Sequence, residues 1–154
     1  MKKINKAIFA GSAILASLVA FNANAVDEAF KANIELLSSI TISEVQGLTF
    51  PAQVAGTAAT VTVATSDAGA ATFNITGIIN APVVASVSEA SINMTDSVSG
   101  DEILVDAFTV DAGASALDAS GVLNGIKVGA TAHVDAADSQ GSYEGDATFT
   151  VVYL

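Results

Sequence analysis

Cysteine and tryptophan are absent from these 154 residues, proline occurs twice and histidine once. Without cysteine there is no disulfide framework and no thiolate nucleophile or metal ligand, so a domain this size must be stabilised by a regular core or by assembly. Basic charge is also scarce: all five cationic residues are lysines, and three of them lie within the first six positions. Only Lys31 and Lys127 remain downstream to face sixteen acidic residues. Nothing resembles a basic patch, which excludes a phosphate backbone as a partner and favours solubility, ion-rich surroundings or partners with basic surfaces. Helix-forming long charged side chains are few, and beyond the amino-terminal region no window approaches the roughly 20 continuous apolar residues of a membrane span.

What is present begins with an export signal. Lys2, Lys3 and Lys6 precede an apolar run from Ala7 to Phe21, and Ala23-Asn24-Ala25 supplies a small-x-small cleavage pattern. Residues 1–25 therefore read as a signal peptide and residues 26–154 as one domain's worth of mature chain. No lipid-attachment cysteine follows the signal. The mature part is rich in Ala, Val, Thr, Ser and Gly, which is material for strands and turns.

Period-two alternation recurs along the chain. EAFKANIELL fits a helix with Phe30, Ile34 and Leu37 on one face, or a strand with Phe30, Ala32, Ile34 and Leu36 together; the downstream pattern favours the strand. Ile40 and Ile42 mark a short strand, Leu48 to Phe50 a second that Pro51 ends. Val61 and Val63, then Phe73 and Ile75, flank the turn Ser66-Asp67-Ala68-Gly69 and read as a hairpin. Val83, Ala85 and Val87 follow Pro82, and Ile92 and Met94 follow a polar break. From Ile103 to Val110 the phase of Leu104, Phe108 and Val110 is spoiled by Asp106, which implies either an edge position or a bulge. Ile126, Val128, Ala130, Ala132 and Val134 make the cleanest alternation, and Gly141 to Leu154 closes with Ala147, Phe149, Val151 and Tyr153 on one face. About eight short strands with regular turn signals predict an all-β fold, a two-sheet antiparallel immunoglobulin-like sandwich over residues 38–154.

ANIELLSSITISEVQGLTF at Ala32–Phe50, AATFNITG at Ala70–Gly77 and the closing GSYEGDATFTVVYL resemble the domain-of-unknown-function family 4402, a family of exported bacterial β-rich domains. Pro51 stands where that pattern leads one to expect glycine. The closing segment is also similar to pilin subunits assembled by the chaperone-usher route, in which a glycine lies well before an aromatic penultimate residue, positions held here by Gly141 and Tyr153. That resemblance implies a sandwich lacking one strand, filled first by a periplasmic chaperone and then, at an outer-membrane usher, by the amino-terminal segment of the next subunit. It makes residues 26–37 the candidate donor, with Phe30, Ala32, Ile34 and Leu36 entering the groove, and Gly141, Ala147, Phe149, Val151 and Tyr153 the candidate acceptor strand. The same residues 26–37 are alternatively the subunit's own first strand.

Catalytic signals are weak. His133 lies on the polar phase of a strand beside Asp135, and no glycine-rich phosphate loop follows a strand. Oxygen ligands are plentiful: Asp96, Asp101 and Glu102 cluster in one loop and Asp135 and Asp138 in another, candidates for calcium that lack the spacing of a calcium loop. The expectation is a non-enzymatic structural subunit that self-associates into a surface filament, a fimbrium or pilus serving adhesion or biofilm. The alternative is a non-polymerising secreted β-sandwich that binds a glycan or calcium.

Overall fold

In a computed structural model, residues 28–36 and 38–154 are described, so the expected signal peptide and positions 26, 27 and 37 lie outside the described residues. By contacts the chain divides into a unit ending at Ile34 and a second unit, Glu35–Leu154. Residues 28–34 of the first unit carry no helix or strand.

Among the described residues of the second unit, alternating, β-branched segments become ten strands: β1 Thr41–Gln46, β2 Ala59–Val63, β3 Ala71–Thr76, β4 Pro82–Val87, β5 Ser91–Asp96, β6 Glu102–Val110, β7 Ala114–Ala116, β8 Val122–Val134, β9 Tyr143–Glu144 and β10 Phe149–Tyr153. All pairings are antiparallel. A seven-stranded sheet in the order β1-β3-β8-β6-β5-β9, with β2 also on β8, curls into a half-barrel, and a three-stranded sheet β10-β4-β7 packs on part of it. The all-β, two-sheet antiparallel expectation is thus met.

Two clusters fill the concave side. Ile75, Val83, Leu117 and Ile126 form one, joined by Ile40, Phe149, Val151 and Tyr153 where the small sheet covers the large one. The other comprises Ile103, Val105, Ala130 and Ala132, flanked by Ile92, Met94 and Phe108 and covered by Leu48 and Phe50. The covering residues sit in irregular chain, so the strand expected at Leu48–Phe50 does not form; its backbone is tethered instead by Thr49 N–H donating to Gly69 O at 2.8 Å.

The hairpin expected across Ser66–Gly69 is not a hairpin. The turn itself forms, with Asp67 Oδ2 accepting from Ala64 N–H at 2.9 Å, yet β2 pairs with Ala130–Val134 and β3 with Val122–Val128 of the same strand. At 13 residues, β8 is long enough to template two short strands along one side, and these ladders outcompete the local one. The closing segment likewise splits: β9 pairs with β5 in the large sheet, whereas β10 pairs with β4 in the small one.

Asp106 marks a bulge. Register against β8 shifts between Asp106 and Thr109, and Ala107 takes a φ of 50°. A bulge flips the phase of everything beyond it. Before it Ile103 and Val105 are buried and Leu104 is 42% exposed; after it Phe108 and Val110 turn inward. Leu104 therefore does not share the buried face with Phe108 and Val110. Ile103→Ala is expected to cost about 2–5 kcal/mol and Leu104→Ala at most about 1 kcal/mol. Urea midpoints check the order, and equal losses would place both residues on the core side.

Candidate functional site

Among the described residues the small sheet ends at β10, which pairs on one side only, and the large sheet ends at β1, which pairs only with β3. The backbone parity of β10 follows from two hydrogen bonds in its ladder register. Ser88 N–H donates to Thr148 O at 2.9 Å, and Leu154 N–H donates to Pro82 O at 3.0 Å. Even-numbered backbone groups are therefore engaged with β4, and by the two-residue period the N–H and C=O of Phe149, Val151 and Tyr153 point to the free edge. The same three residues turn their side chains onto the core cluster beneath. One strand thus presents apolar packing on one side and a row of unpaired backbone groups along its rim, the geometry that accepts an added strand.

Between the edge of β1 and the edge of β10 the two sheets share no ladder. One end of this cleft is closed by Tyr153, whose hydroxyl donates to Ser38 O at 3.1 Å and accepts from Ile78 N–H at 2.9 Å. Gly77 lies against that hydroxyl, and a Cβ there would overlap it. Toward the other end, the rings of Phe73 on β3 and Phe149 on β10 stack at 4.2 Å with an interplanar angle of 7°. Beside this pair opens a cavity of about 260 Å³ with Met94, Val105, Phe108 and Val128 in its lining and Glu44, Asp146 and Ala147 among its residues. A second cavity of about 470 Å³ adjoins it through Leu48, Phe50 and Met94.

Of the candidate acceptor residues, Phe149, Val151 and Tyr153 lie on β10, and Ala147 is exposed beside the cavity. Gly141 lies elsewhere, in the turn before β9, where a Cβ would come within 2.6 Å of the Asp96 carboxylate. Of the candidate donor residues, Phe30, Ile34 and Leu36 are 89%, 86% and 89% exposed, Ala32 is exposed, and all four lie in chain without regular structure. Sequence reasoning missed Phe73, Met94, Leu48 and Phe50 as cleft residues. The alternation of Phe73 and Ile75 was visible, but not the sheet that would face it.

The acidic loops come together around hydrogen-bond donors. Asp96, buried, accepts through Oδ2 from Ser99 N–H at 2.7 Å, Ser99 Oγ–H at 2.9 Å and Val98 N–H at 3.3 Å, and through Oδ1 from Ser142 N–H at 3.2 Å. Asp101 accepts from Ser139 N–H at 3.0 Å, Asp138 from Asp135 N–H at 2.7 Å, and Glu102 from Asn93 Nδ2 at 2.8 Å. Through Ser142 and Ser139, Asp96 and Asp101 staple residues 96–101 to the loop before β9. Among the described residues no group of three or more His, Cys, Asp or Glu side chains is arranged to hold a metal. His133 lies on the polar phase as expected and meets Asp106 on the adjacent strand, Nε2 to Oδ1 at 2.9 Å, with both side chains substantially exposed. Among the described residues no helix is long and apolar enough to cross a membrane.

The Ser99 amide and hydroxyl hold the Asp96 carboxyl below its ordinary value of 3.8. The folded state therefore binds that proton less readily than the unfolded chain. The associated stability is complete above the ordinary value and is lost as pH falls through the lower folded one. Glu89 and Asp101 are lowered in the same direction, by the Thr148 amide and by hydrogen bonding to Ser139 respectively. Asp96→Asn is expected to lower stability at neutral pH and to flatten, without abolishing, the acid limb of a urea-midpoint profile taken below about pH 4. An unchanged acid limb would remove Asp96 from the set of stabilising carboxylates.

Comparison with known families matches residues 37–153 to the family described as Domain of unknown function (DUF4402). No curated protein and no solved structure matches the chain.

Proposed function

We propose, from the premise that this chain belongs to the DUF4402 family, that it is a pilin-like structural subunit of an extracellular filament built by donor-strand exchange. The observation that carries this reading is the free edge of β10, with unpaired backbone groups on its rim and its side chains in the core beside an open apolar cleft. The donor is the amino-terminal segment of another copy, in which Phe30, Ala32, Ile34 and Leu36 alternate with polar or small residues. Inserted between β1 and β10, it turns two incomplete sheets into a closed, immunoglobulin-like sandwich. Its backbone pairs with Phe149, Val151 and Tyr153, and its apolar side chains cover the cleft. Each contact removes apolar surface from water at roughly 25 cal/mol per Å², against the entropy of ordering an extended segment. A subunit that donates at one place and accepts at another makes a heterologous contact that does not close, so the product is a fibre rather than a ring.

The role is structural rather than catalytic. A cleft of this kind, open in the free subunit, calls for a periplasmic chaperone during export and an outer-membrane usher for exchange, and leaves the finished filament at the cell surface.

Purified protein is expected to give a heat-labile ladder on a denaturing gel run without boiling, collapsing to monomer after boiling. A monodisperse monomer that stays monomeric with added residue 26–36 peptide would sink the filament reading. Val151→Pro removes an N–H on the free edge while sparing the ladder to β4. It is expected to abolish the ladder on the gel while the circular dichroism spectrum stays that of the parent. Undiminished polymer from a folded Val151→Pro protein would exclude β10 as the acceptor.

A further inference from the structure

Four apolar side chains alternate along the donor segment, and the charges around the cavity select among them. We propose that Phe30 of a second copy of this chain fills the cavity beside the Phe73–Phe149 ring pair, with Lys31 of that copy set against Glu44 and Asp146 at the mouth. The proposal rests on the donor-strand reading and adds a register to it.

Shape gives the first argument. A cavity of about 150 Å³ already holds a benzene ring, and the space here is about 260 Å³. Its wall is a pair of nearly parallel aromatic rings, against which a third ring packs face or edge on. Ala32 is too small to fill it.

Charge gives the second. Glu44 and Asp146 are both exposed cavity residues, and among the described residues neither side-chain carboxylate has a hydrogen-bond or ion-pair partner. In an extended segment the residues on either side of a buried side chain point outward, where their termini reach the rim. Seating Ile34 or Leu36 in the cavity brings the intervening Glu35 to two carboxylates. Seating Phe30 brings Lys31, one of only two cations beyond the first six residues. Like charges across a contact suppress a register and opposite charges favour it.

The absence of cysteine makes the test direct. In the full chain carrying Lys31→Cys and Asp146→Cys, oxidation is expected to convert the heat-labile ladder into one that survives boiling and collapses with reductant. Phe30→Ala is expected to reduce polymer about tenfold or more, with Ile34→Ala and Leu36→Ala reducing it less and monomer melting temperature unchanged in all three. Lys31→Glu is expected to reduce polymer about fivefold in low salt, and Glu44→Lys with Asp146→Lys in the same chain is expected to restore it. A ladder that forms without cross-linking, or that depends on Ile34 or Leu36 more than on Phe30, overturns the register and leaves the donor-strand reading standing. An internal disulfide in a monomer overturns the second copy as occupant. No ladder from the unsubstituted chain overturns both readings.

Discussion

The concave side of the half-barrel is apolar along much of its length, and the sheet facing it is only three strands wide. Apolar surface must be covered, and the rest of the structure is arranged around that shortfall. Where β10, β4 and β7 reach, Leu117 and Val83 close over Ile75 and Ile126. Beyond them, Leu48 and Phe50 cover the cluster of Ile103, Val105, Ala130 and Ala132 from irregular chain, with one cavity opening at the margin of the small sheet beside Val87 and Phe149 and a second adjoining it. Among the described residues this core is finished by loop residues on one side and left open at the cavities on another.

The residues that hold the shortfall in place are few. Tyr153 closes one end of the cleft with a hydroxyl that both donates and accepts, and Gly77 leaves room for it. At the far pole, Asp96 gathers amide and hydroxyl donors from two loops, and Gly141 leaves room for its carboxylate. Both are polar groups whose hydrogen-bonding capacity is met by loop partners at the margins of an apolar core. The acidic surface, sixteen Asp and Glu against Lys31 and Lys127 beyond the first six residues, disfavours indiscriminate association by like-charge repulsion.

Much of the fold was legible because alternation survives in the residues themselves. The buried phase of Ile126, Val128, Ala130 and Ala132 on β8, and of Val83 and Ala85 on β4, follows directly from the order of residue types. Asp106 was legible as a disturbance, and a bulge at Ala107 is its structural form. Pairing was not legible. Ser66–Gly69 is a good turn by composition, but a turn reports only that the chain reverses, and the length of β8 decided that β2 and β3 would pair with it rather than with each other. Of the cleft, the inward face of Phe149, Val151 and Tyr153 was readable, whereas Phe73, Met94 and Glu44 arrive from distant segments and carry no local sign of what they will meet.

Composition and periodicity alone determined that this is an acidic, disulfide-free, all-β chain whose closing segment, Gly141 to Leu154, alternates in phase, because those properties depend on neighbours in sequence. Tertiary structure decided which strands pair, that the closing segment divides between two sheets, and that the free edges of β1 and β10 flank an apolar cleft. The reason is physical: a strand's faces are set by the two-residue period of its own side chains, but its edges are satisfied by whichever backbone the whole fold brings alongside.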